Sequence, residues 1–169
     1  MRIKTIAKMT KGADTLLDIG TDHGFVIIEA LKSGYIKNAI ATDINKGPLK
    51  RAFNNIKKES LENKVTFIQT NGFKNINLHY DCVVITGMGF QTIKNILIEP
   101  HLKPKFYVFG AQTEIENLRL FLNENNYKII AEEIIFDKKF YIFIKAVEGQ
   151  QVLSKEDLIL GPFLKNNKN

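Results

Sequence analysis

The sequence predicts an α/β protein with an open, mostly parallel sheet of seven strands, one of which runs antiparallel. Short apolar runs alternate with helix-like segments from residue 15 to residue 126, and this alternation is typical of a parallel sheet covered by helices on both faces. Two further apolar runs follow without a helix between them, which predicts a hairpin and hence the antiparallel strand. The 169 residues suffice for one domain with a sizeable core.

Each element is predicted from its own local pattern. Pro48 suits the first turn of the second helix, and apolar residues from Leu49 to Ile56 recur at helical spacing. Thr113 and Glu116 have the spacing of a capping box at the start of the last helix. The predicted strands span residues 15–20, 38–43, 64–70, 81–87, 105–111, 127–137 and 138–149, and the predicted helices span 25–34, 47–60, 90–100 and 113–126.

The charge balance leaves two interpretations open. The chain has 24 basic and 18 acidic residues, a formal net charge of +6. Such a balance suits an anionic partner, nucleic acid first. It is equally typical of solvated lysines on a chain rich in lysine, asparagine and isoleucine.

Several classes of protein are excluded by composition. A single cysteine, Cys82, permits no disulfide framework and is expected in the core because its neighbours are apolar. The three histidines are not at ligand spacing, so no metal is expected. The first 15 residues do not resemble a signal peptide, and no run approaches the roughly 20 apolar residues of a membrane helix. We therefore expect a cytoplasmic protein without a membrane partner.

Polar residues and glycines collect directly after four of the predicted strands. The carboxyl ends of parallel strands meet at one edge of an open α/β sheet, and ligands bind there. Acids at the border of a core are costly unless they bind something. The residues at these ends are Asp18, Gly20, Asp22, His23 and Gly24, then Asp43, then Asn71 and Gly72, and finally Gly87, Met88, Gly89 and Phe90.

The first of these loops, "DIGTDHG", favours one kind of ligand. Gly20 and Gly24 allow a ligand to approach the backbone. Their spacing is G-x-x-x-G rather than the G-x-G-x-x-G of dinucleotide sites, and Asp22 would repel a phosphate. The loop therefore favours a ligand with a cationic tail, such as the methionine part of S-adenosyl-L-methionine.

The other strand ends each allow two interpretations. Asp43 is placed to bind ribose hydroxyls or to cap the helix that follows. Asn71 could bind an adenine edge or belong to a plain turn. His23 could cap a helix or contact a ligand.

The fourth strand end, "GMGF", could accommodate a flat base. Gly87 and Gly89 would leave space for it, and Met88 and Phe90 could stack on it. Alternatively, the two large side chains belong to the core.

The strings "DIGTDHG", "ATDINKGPL" and "ITGMGF" together resemble the bacterial tRNA methyltransferases that modify N1 of adenine 22. The likeness extends over residues 6–162. It implies a Rossmann-like class I fold and methyl transfer from S-adenosyl-L-methionine to that adenine, on the D-arm side of tRNA. Residues 1–162 are then the methyltransferase domain, and 163–169 a tail where the family's C-terminal helical domain would begin.

The resemblance also implies which residues act. Asp22 is the expected catalytic residue, near the amine of the target adenine; its alternative role is to hold the methionine ammonium. The expected cofactor contacts are Asp18, Gly20, Thr21, Asp22, His23, Gly24, Asp43, Ile44, Asn71, Gly72 and Gly87. The expected substrate contacts are Gly87, Met88, Gly89 and Phe90, with Arg2, Lys4, Lys8, Lys46, Lys50 and Arg51 on the phosphates. A monomer is favoured over an oligomer.

Two departures from the family keep a second hypothesis open. Asn71 stands where the family has an aspartate, and Phe90 replaces the last glycine of "GMGG". Both favour a non-catalytic module that binds a nucleotide or RNA. A nicotinamide-dependent oxidoreductase is a third hypothesis, against which the missing G-x-G-x-x-G argues.

Overall fold

The structure, a computed structural model, describes residues 1–165. Its strands are β1 (Thr15–Ile19), β2 (Asn38–Asp43), β3 (Val65–Gln69), β4 (Cys82–Met88), β5 (Phe106–Ala111), β6 (Tyr127–Asp137) and β7 (Lys139–Glu148). Its helices are α1 (Arg2–Met9), α2 (Phe25–Lys32), α3 (Lys46–Lys58), α4 (Phe90–Leu97), α5 (Ile115–Glu124) and α6 (Lys155–Leu160).

The strands form one sheet in the order β3-β2-β1-β4-β5-β7-β6. The pairs among β1 to β5 are parallel, and β7 is antiparallel to both of its neighbours. Lys138 makes the turn between β6 and β7 with a φ of 64°. The predicted α/β fold, the hairpin and the antiparallel strand are therefore confirmed.

The register aligns the functional ends of the strands. Ile19 of β1 lies opposite Thr42 of β2 on one side and Ile85 of β4 on the other, and Ile85 lies opposite Phe109 of β5. These strands therefore end at one edge of the sheet. Because β7 is antiparallel, its first residues lie at the same edge, and the β6–β7 turn projects there.

Helices cover both faces of the sheet because successive strand residues point to opposite faces. Leu16 packs with α1, α2 and α3 on one face, and Leu17 packs with α4 and α5 on the other. Cys82 lies in the central strand β4, has no exposed surface, and burial raises the pKa of its thiol. The prediction of a core thiol is confirmed. Within residues 1–165, no helix is long and apolar enough to cross a membrane.

The structure adds two helices, α1 and α6, that the sequence pattern does not predict, and it contradicts one local prediction. The capping box of Thr113 and Glu116 is wrong, because α5 starts after Glu114 in a left-handed conformation with no side-chain cap. A capping box occurs instead at α6, where the Ser154 hydroxyl accepts from the Asp157 N–H and the Asp157 carboxylate accepts from the Ser154 N–H.

A buried ion pair fixes the C-terminal segment to the sheet. Arg119 of α5 donates to Glu132 of β6 at 2.8 Å, and neither side chain is exposed. Arg119 also donates to the carbonyls of Leu158 and Ile159, and Glu132 accepts from the Phe163 N–H. The predicted tail thus begins in contact with the sheet, while residues 166–169 lie outside the described part of the chain.

We expect Arg119→Met to lower the free energy of unfolding by about 3 kcal/mol or more, because it leaves the Glu132 carboxylate buried without its partner. Lys32→Met is the matched control. It removes the exposed 2.7 Å pair with Glu59 and should cost much less, because water and salt screen an exposed ion pair. Urea unfolding measures both, and equal losses would contradict the role given to the buried pair.

Candidate functional site

A cavity of about 660 Å³ opens at the carboxyl edge of the sheet. The ends of β1, β2, β4 and β5, the start of β7 and the first turns of α1 and α2 surround it. The position agrees with the rule that open α/β sheets bind ligands beyond the carboxyl ends of their strands.

Two buried carboxylates line the cavity on the same face of the sheet. Asp18 and Asp43 are 4% and 8% exposed, and Asp18 lies opposite Ala41, two residues before Asp43. One Asp43 oxygen accepts from the Asn45 N–H at 2.9 Å. Burial raises the pKa of Asp18 to about 6; the Thr21 hydroxyl opposes this, and the charge of Asp43 adds to it. The site therefore favours a ligand that supplies cationic charge or hydroxyl donors.

The loop after β1 is held by its backbone. The N–H groups of Gly20 and Thr21 both donate to the Thr42 carbonyl at 2.9 Å. Gly20 has a φ of 76°, and a Cβ there would collide with the end of Met88. Thr21 Oγ1 is near enough to influence Asp18, yet it is buried without a well-formed hydrogen bond among the described residues. A bound ligand or water would supply the missing hydrogen-bond partner of this hydroxyl.

Asp22 lies at the rim of the cavity rather than at its floor. Its φ is 50°, a conformation that aspartate tolerates better than most residues, and its side chain is 57% exposed. The carboxylate contacts Arg51 at 3.0 Å and His23 Nε2 at 3.3 Å. The His23 ring stacks on Phe25 with 5.3 Å between centroids. Asp22 is thus fixed in orientation but reachable from solvent.

The opposite wall is open at β4 and aromatic at β7. Gly87 lies within an irregularity of the β4–β5 register, between Thr86 and Met88, and a Cβ there would meet nothing within 4 Å. Tyr141 lines the wall at the start of β7. The Arg2 guanidinium lies 4.5 Å from the centre of its ring and donates to Asp137 at 3.1 Å. This wall leaves room for a planar group.

The structure brings together only part of the predicted site. The predicted residues that line the cavity are Arg2, Asp18, Gly20, Thr21, Asp22, His23, Asp43, Gly87 and Met88. Those that do not line it are Lys4, Lys8, Gly24, Ile44, Lys46, Lys50, Arg51, Asn71, Gly72, Gly89 and Phe90.

Phe90 lies in the core instead of beside a ligand. It is 6% exposed and packs edge-on against Phe121, with 6.3 Å between the ring centroids. The glycine at position 24 is explained by packing, because a Cβ there would lie 3.0 Å from Ile56 of α3. The expectations that Phe90 stacks on a base and that Gly24 faces the ligand therefore find no support in this geometry.

Asn71 and Gly72 lie in a loop that adjoins the site. The Thr70 N–H donates to the Asp43 carbonyl at 3.0 Å, which ties this loop to the end of β2. Asn71 itself is exposed. The predicted lysines are exposed on the two flanking helices, Lys4 and Lys8 on α1 and Lys46 and Lys50 on α3.

Sequence reasoning missed the residues that follow β5 and begin β7. Gln112 comes directly after β5 at the carboxyl edge and lines the cavity, so the strand-end rule applied to β5 would have found it. Tyr141, Ile142 and Phe143 also line it. An antiparallel strand reaches this edge with its amino end, and no local signal marks those residues.

Known proteins share this architecture. The family model described as a methyltransferase domain matches residues 1–144. A Mycoplasma genitalium protein with the provisional name of tRNA methyltransferase is 31% identical over 99% of this chain and 79% of its own length. The tRNA (adenine(22)-N(1))-methyltransferase of Bacillus subtilis is 26% identical over 99% of this chain and 75% of its own. The structure of M. capricolum TrmK with S-adenosyl-homocysteine has a TM-score of 0.86 and 32% identity, covering 95% and 74% of the two chains.

We expect Asp18→Asn to stabilise the protein at neutral pH. The pKa of Asp18 is raised from 3.8 to about 6 on folding, so ionisation of the buried carboxyl destabilises the folded state as the pH rises through this range. The advantage of the variant should grow from near zero at pH 4 to at most about 3 kcal/mol above pH 6. Urea unfolding across pH 4–8 measures it.

Asp81→Asn is the control of opposite sign. Burial raises the pKa of Asp81, but hydrogen bonds from Lys105, Thr15 and Asp14 outweigh it and lower the pKa to about 2. That variant should be less stable at neutral pH, with a deficit that shrinks as the pH falls below 4. A flat difference for Asp18→Asn would contradict its burial in ionised form.

Proposed function

We propose that this chain, which belongs to the methyltransferase domain family and within it to the bacterial tRNA (adenine(22)-N1)-methyltransferases, uses the cavity at its sheet edge to methylate N1 of adenine 22 in tRNA. S-adenosyl-L-methionine is the methyl donor. One observation carries the proposal. The buried acids Asp18 and Asp43 surround a cavity together with the Thr21 hydroxyl, which is buried without a well-formed hydrogen bond within residues 1–165. The chain is 31% identical to a Mycoplasma genitalium protein provisionally named a tRNA methyltransferase and 32% identical to M. capricolum TrmK.

The cavity fits the donor in charge and in shape. Asp43 would hold the ribose hydroxyls, as an acid at the end of a second strand does in such folds. Asp18 and the Thr21 hydroxyl would hold the cationic methionine end. Gly20 leaves room for the end of Met88, so that Met88 can line the cavity beside the donor. The loop with Asn71 and Gly72, beside Asp43, would border the adenine.

The chemistry demands positioning more than acid–base work. When bound, the donor supplies a methyl group on a sulfonium that is already strongly electrophilic. N1 of adenine attacks through a lone pair and needs no prior deprotonation, so the chain must mainly align the two reactants. The Gly87 region offers the open wall against which a planar base could lie.

Asp22 is the residue best placed to respond to the charge of the product. Methylation makes the adenine cationic until its exocyclic amine releases a proton. A carboxylate fixed at the rim stabilises that charge as it develops. Arg51 and His23 hold Asp22 in one orientation, which supports this role over that of a deep ammonium contact, for which Asp18 is better buried.

The tRNA must present an extruded base. N1 is occupied in a duplex, so the target adenine must be unpaired or flipped out. Lys4, Lys8, Lys46 and Lys50 are exposed on helices that flank the cavity, and we assign them to the phosphates of the tRNA. The cytoplasm, where tRNA is modified in bacteria, and a monomeric state belong to the same proposal.

The two departures from the family pattern do not argue for a non-catalytic module. Phe90 is in the core and Asn71 is outside the cavity wall. Neither residue blocks the cavity.

We expect Gly20→Ala to lower the affinity for S-adenosyl-L-methionine at least about tenfold, because the added methyl group meets Met88 inside the cavity. Gly34→Ala is the matched control. Gly34 also has a positive φ, 68°, but a Cβ there would meet nothing within 4 Å, so it shares the backbone strain without filling the site. Calorimetry measures both, with NAD as the comparison ligand. Equal affinities in the two variants would contradict the placement of the donor.

We expect wild-type protein to form N1-methyladenosine at position 22 of a tRNA transcript, and Asp22→Ala to slow this about 100-fold or more while the fold survives. Asp14→Ala is the control, since Asp14 is an exposed acid paired with Lys37 at the opposite edge. Mass mapping of the tRNA measures the product, and calorimetry shows whether the donor still binds. Unchanged turnover in Asp22→Ala would remove Asp22 from the mechanism, and unmodified tRNA with wild-type protein would overturn the proposed function.

A further inference from the structure

Two phenylalanines are exposed at the tip of the β6–β7 hairpin. Phe136 is 62% exposed and Phe140 is 69% exposed. They face each other across the two strands, and their rings meet edge to face with 5.2 Å between centroids. Large apolar side chains that are exposed together usually mark an interaction surface.

The tip also carries cationic charge. Lys138 and Lys139 form the turn between the two phenylalanines and are exposed. The acid of the same turn, Asp137, is paired with Arg2 at 3.1 Å. The lysines therefore face solvent next to aromatic rings, while the nearby negative charge is neutralised.

The tip lies beside the mouth of the cavity. Tyr141, the residue after Phe140, lines the cavity wall. The Arg2 guanidinium lies over its ring and lines the same wall. Lys139 lies 5.2 Å from that ring. Any macromolecule that inserts one base into the cavity therefore has its neighbouring residues within reach of the hairpin tip.

We propose that the hairpin tip, defined as Phe136, Lys138, Lys139 and Phe140, is an RNA-binding surface that stacks on nucleobases beside the target adenine. This inference rests on the proposed function. Aromatic faces next to cations are how proteins bind single-stranded nucleic acid, because every base presents a face for stacking and every nucleotide a phosphate. The tip thus holds the strand while the adenine occupies the cavity.

The charge of the surroundings favours RNA over a protein partner. Helix α1, which contacts the hairpin through Arg2, exposes Lys4 and Lys8 and has no acidic residue. An apolar contact between proteins would not require lysines around the rings, whereas a phosphate backbone does. The chain's net charge of +6 agrees with this assignment.

The test measures the tRNA affinity of variants of the full chain by filter binding. Each affinity is measured at about 50 mM and about 200 mM salt. Phe136→Leu with Phe140→Leu keeps apolar surface but removes the rings, and should weaken tRNA binding about tenfold. Phe136→Trp with Phe140→Trp should retain it. S-adenosyl-L-methionine affinity and urea unfolding should be unchanged in both, which separates lost stacking from lost folding.

Lysine variants test the phosphate contacts. Lys138→Gln with Lys139→Gln should reduce the salt dependence of log K by about 1–2 units of slope. Lys128→Gln is the matched control, because Lys128 is exposed on the same β6 strand at its other end and should change nothing.

Two outcomes would overturn the inference. One is wild-type tRNA affinity in the double leucine variant. The other concerns sedimentation of the same variant. If the wild-type protein self-associates, the variant does not, and tRNA affinity is unchanged, the tip is a contact between copies of the chain. Failure of the proposed function is seen separately, as unmodified tRNA with wild-type protein.

Discussion

The site depends on one constraint: two carboxylates lie buried beside each other where apolar strands end. Asp18 and Asp43 are on adjacent strands and point to the same face. Burial raises the pKa of Asp18, and the charge of Asp43 adds to the cost of ionising it. Such a pair is retained where hydrogen bonds and a cationic or hydroxyl-bearing ligand compensate for it. The glycine turn, the backbone bonds to Thr42 and the Thr21 hydroxyl are all arranged around these acids.

The topology then separates charge by depth. Acids occupy the floor of the cavity, whereas most of the basic residues near it lie on the flanking helices and the hairpin. Under the proposed function, a small cationic donor and a large polyanion would therefore be attracted to different depths of the same opening. Asp22 lies between these levels, held by Arg51 and His23. Under the proposed function, this division would let one sheet edge bind two ligands of opposite charge without their competing for the same groups.

Much of the fold was predictable because local pattern and tertiary structure agree. Segment 127–137 coincides with β6, and the strand ends of β1, β2 and β4 converge as parallel pairing requires. Helices α1 and α6 could not be predicted, since short polar segments become helical only through their tertiary contacts. Phe90 and Tyr141 show the limit for the site. Phe90 follows a glycine turn but is buried in the core. Tyr141 lies far along the chain on an antiparallel strand, yet it lines the cavity.

Cys82 makes the central strand a natural reporter of global opening. Its strand, β4, lies between β1 and β5. The thiol has no exposed surface, and burial raises its pKa. A thiol-reactive reagent attacks only the thiolate, so labelling must await separation of the sheet at its middle. The rate of thiol modification would thus measure how often the sheet opens globally. A donor that binds only the folded chain would lower this rate without contacting the sulfur.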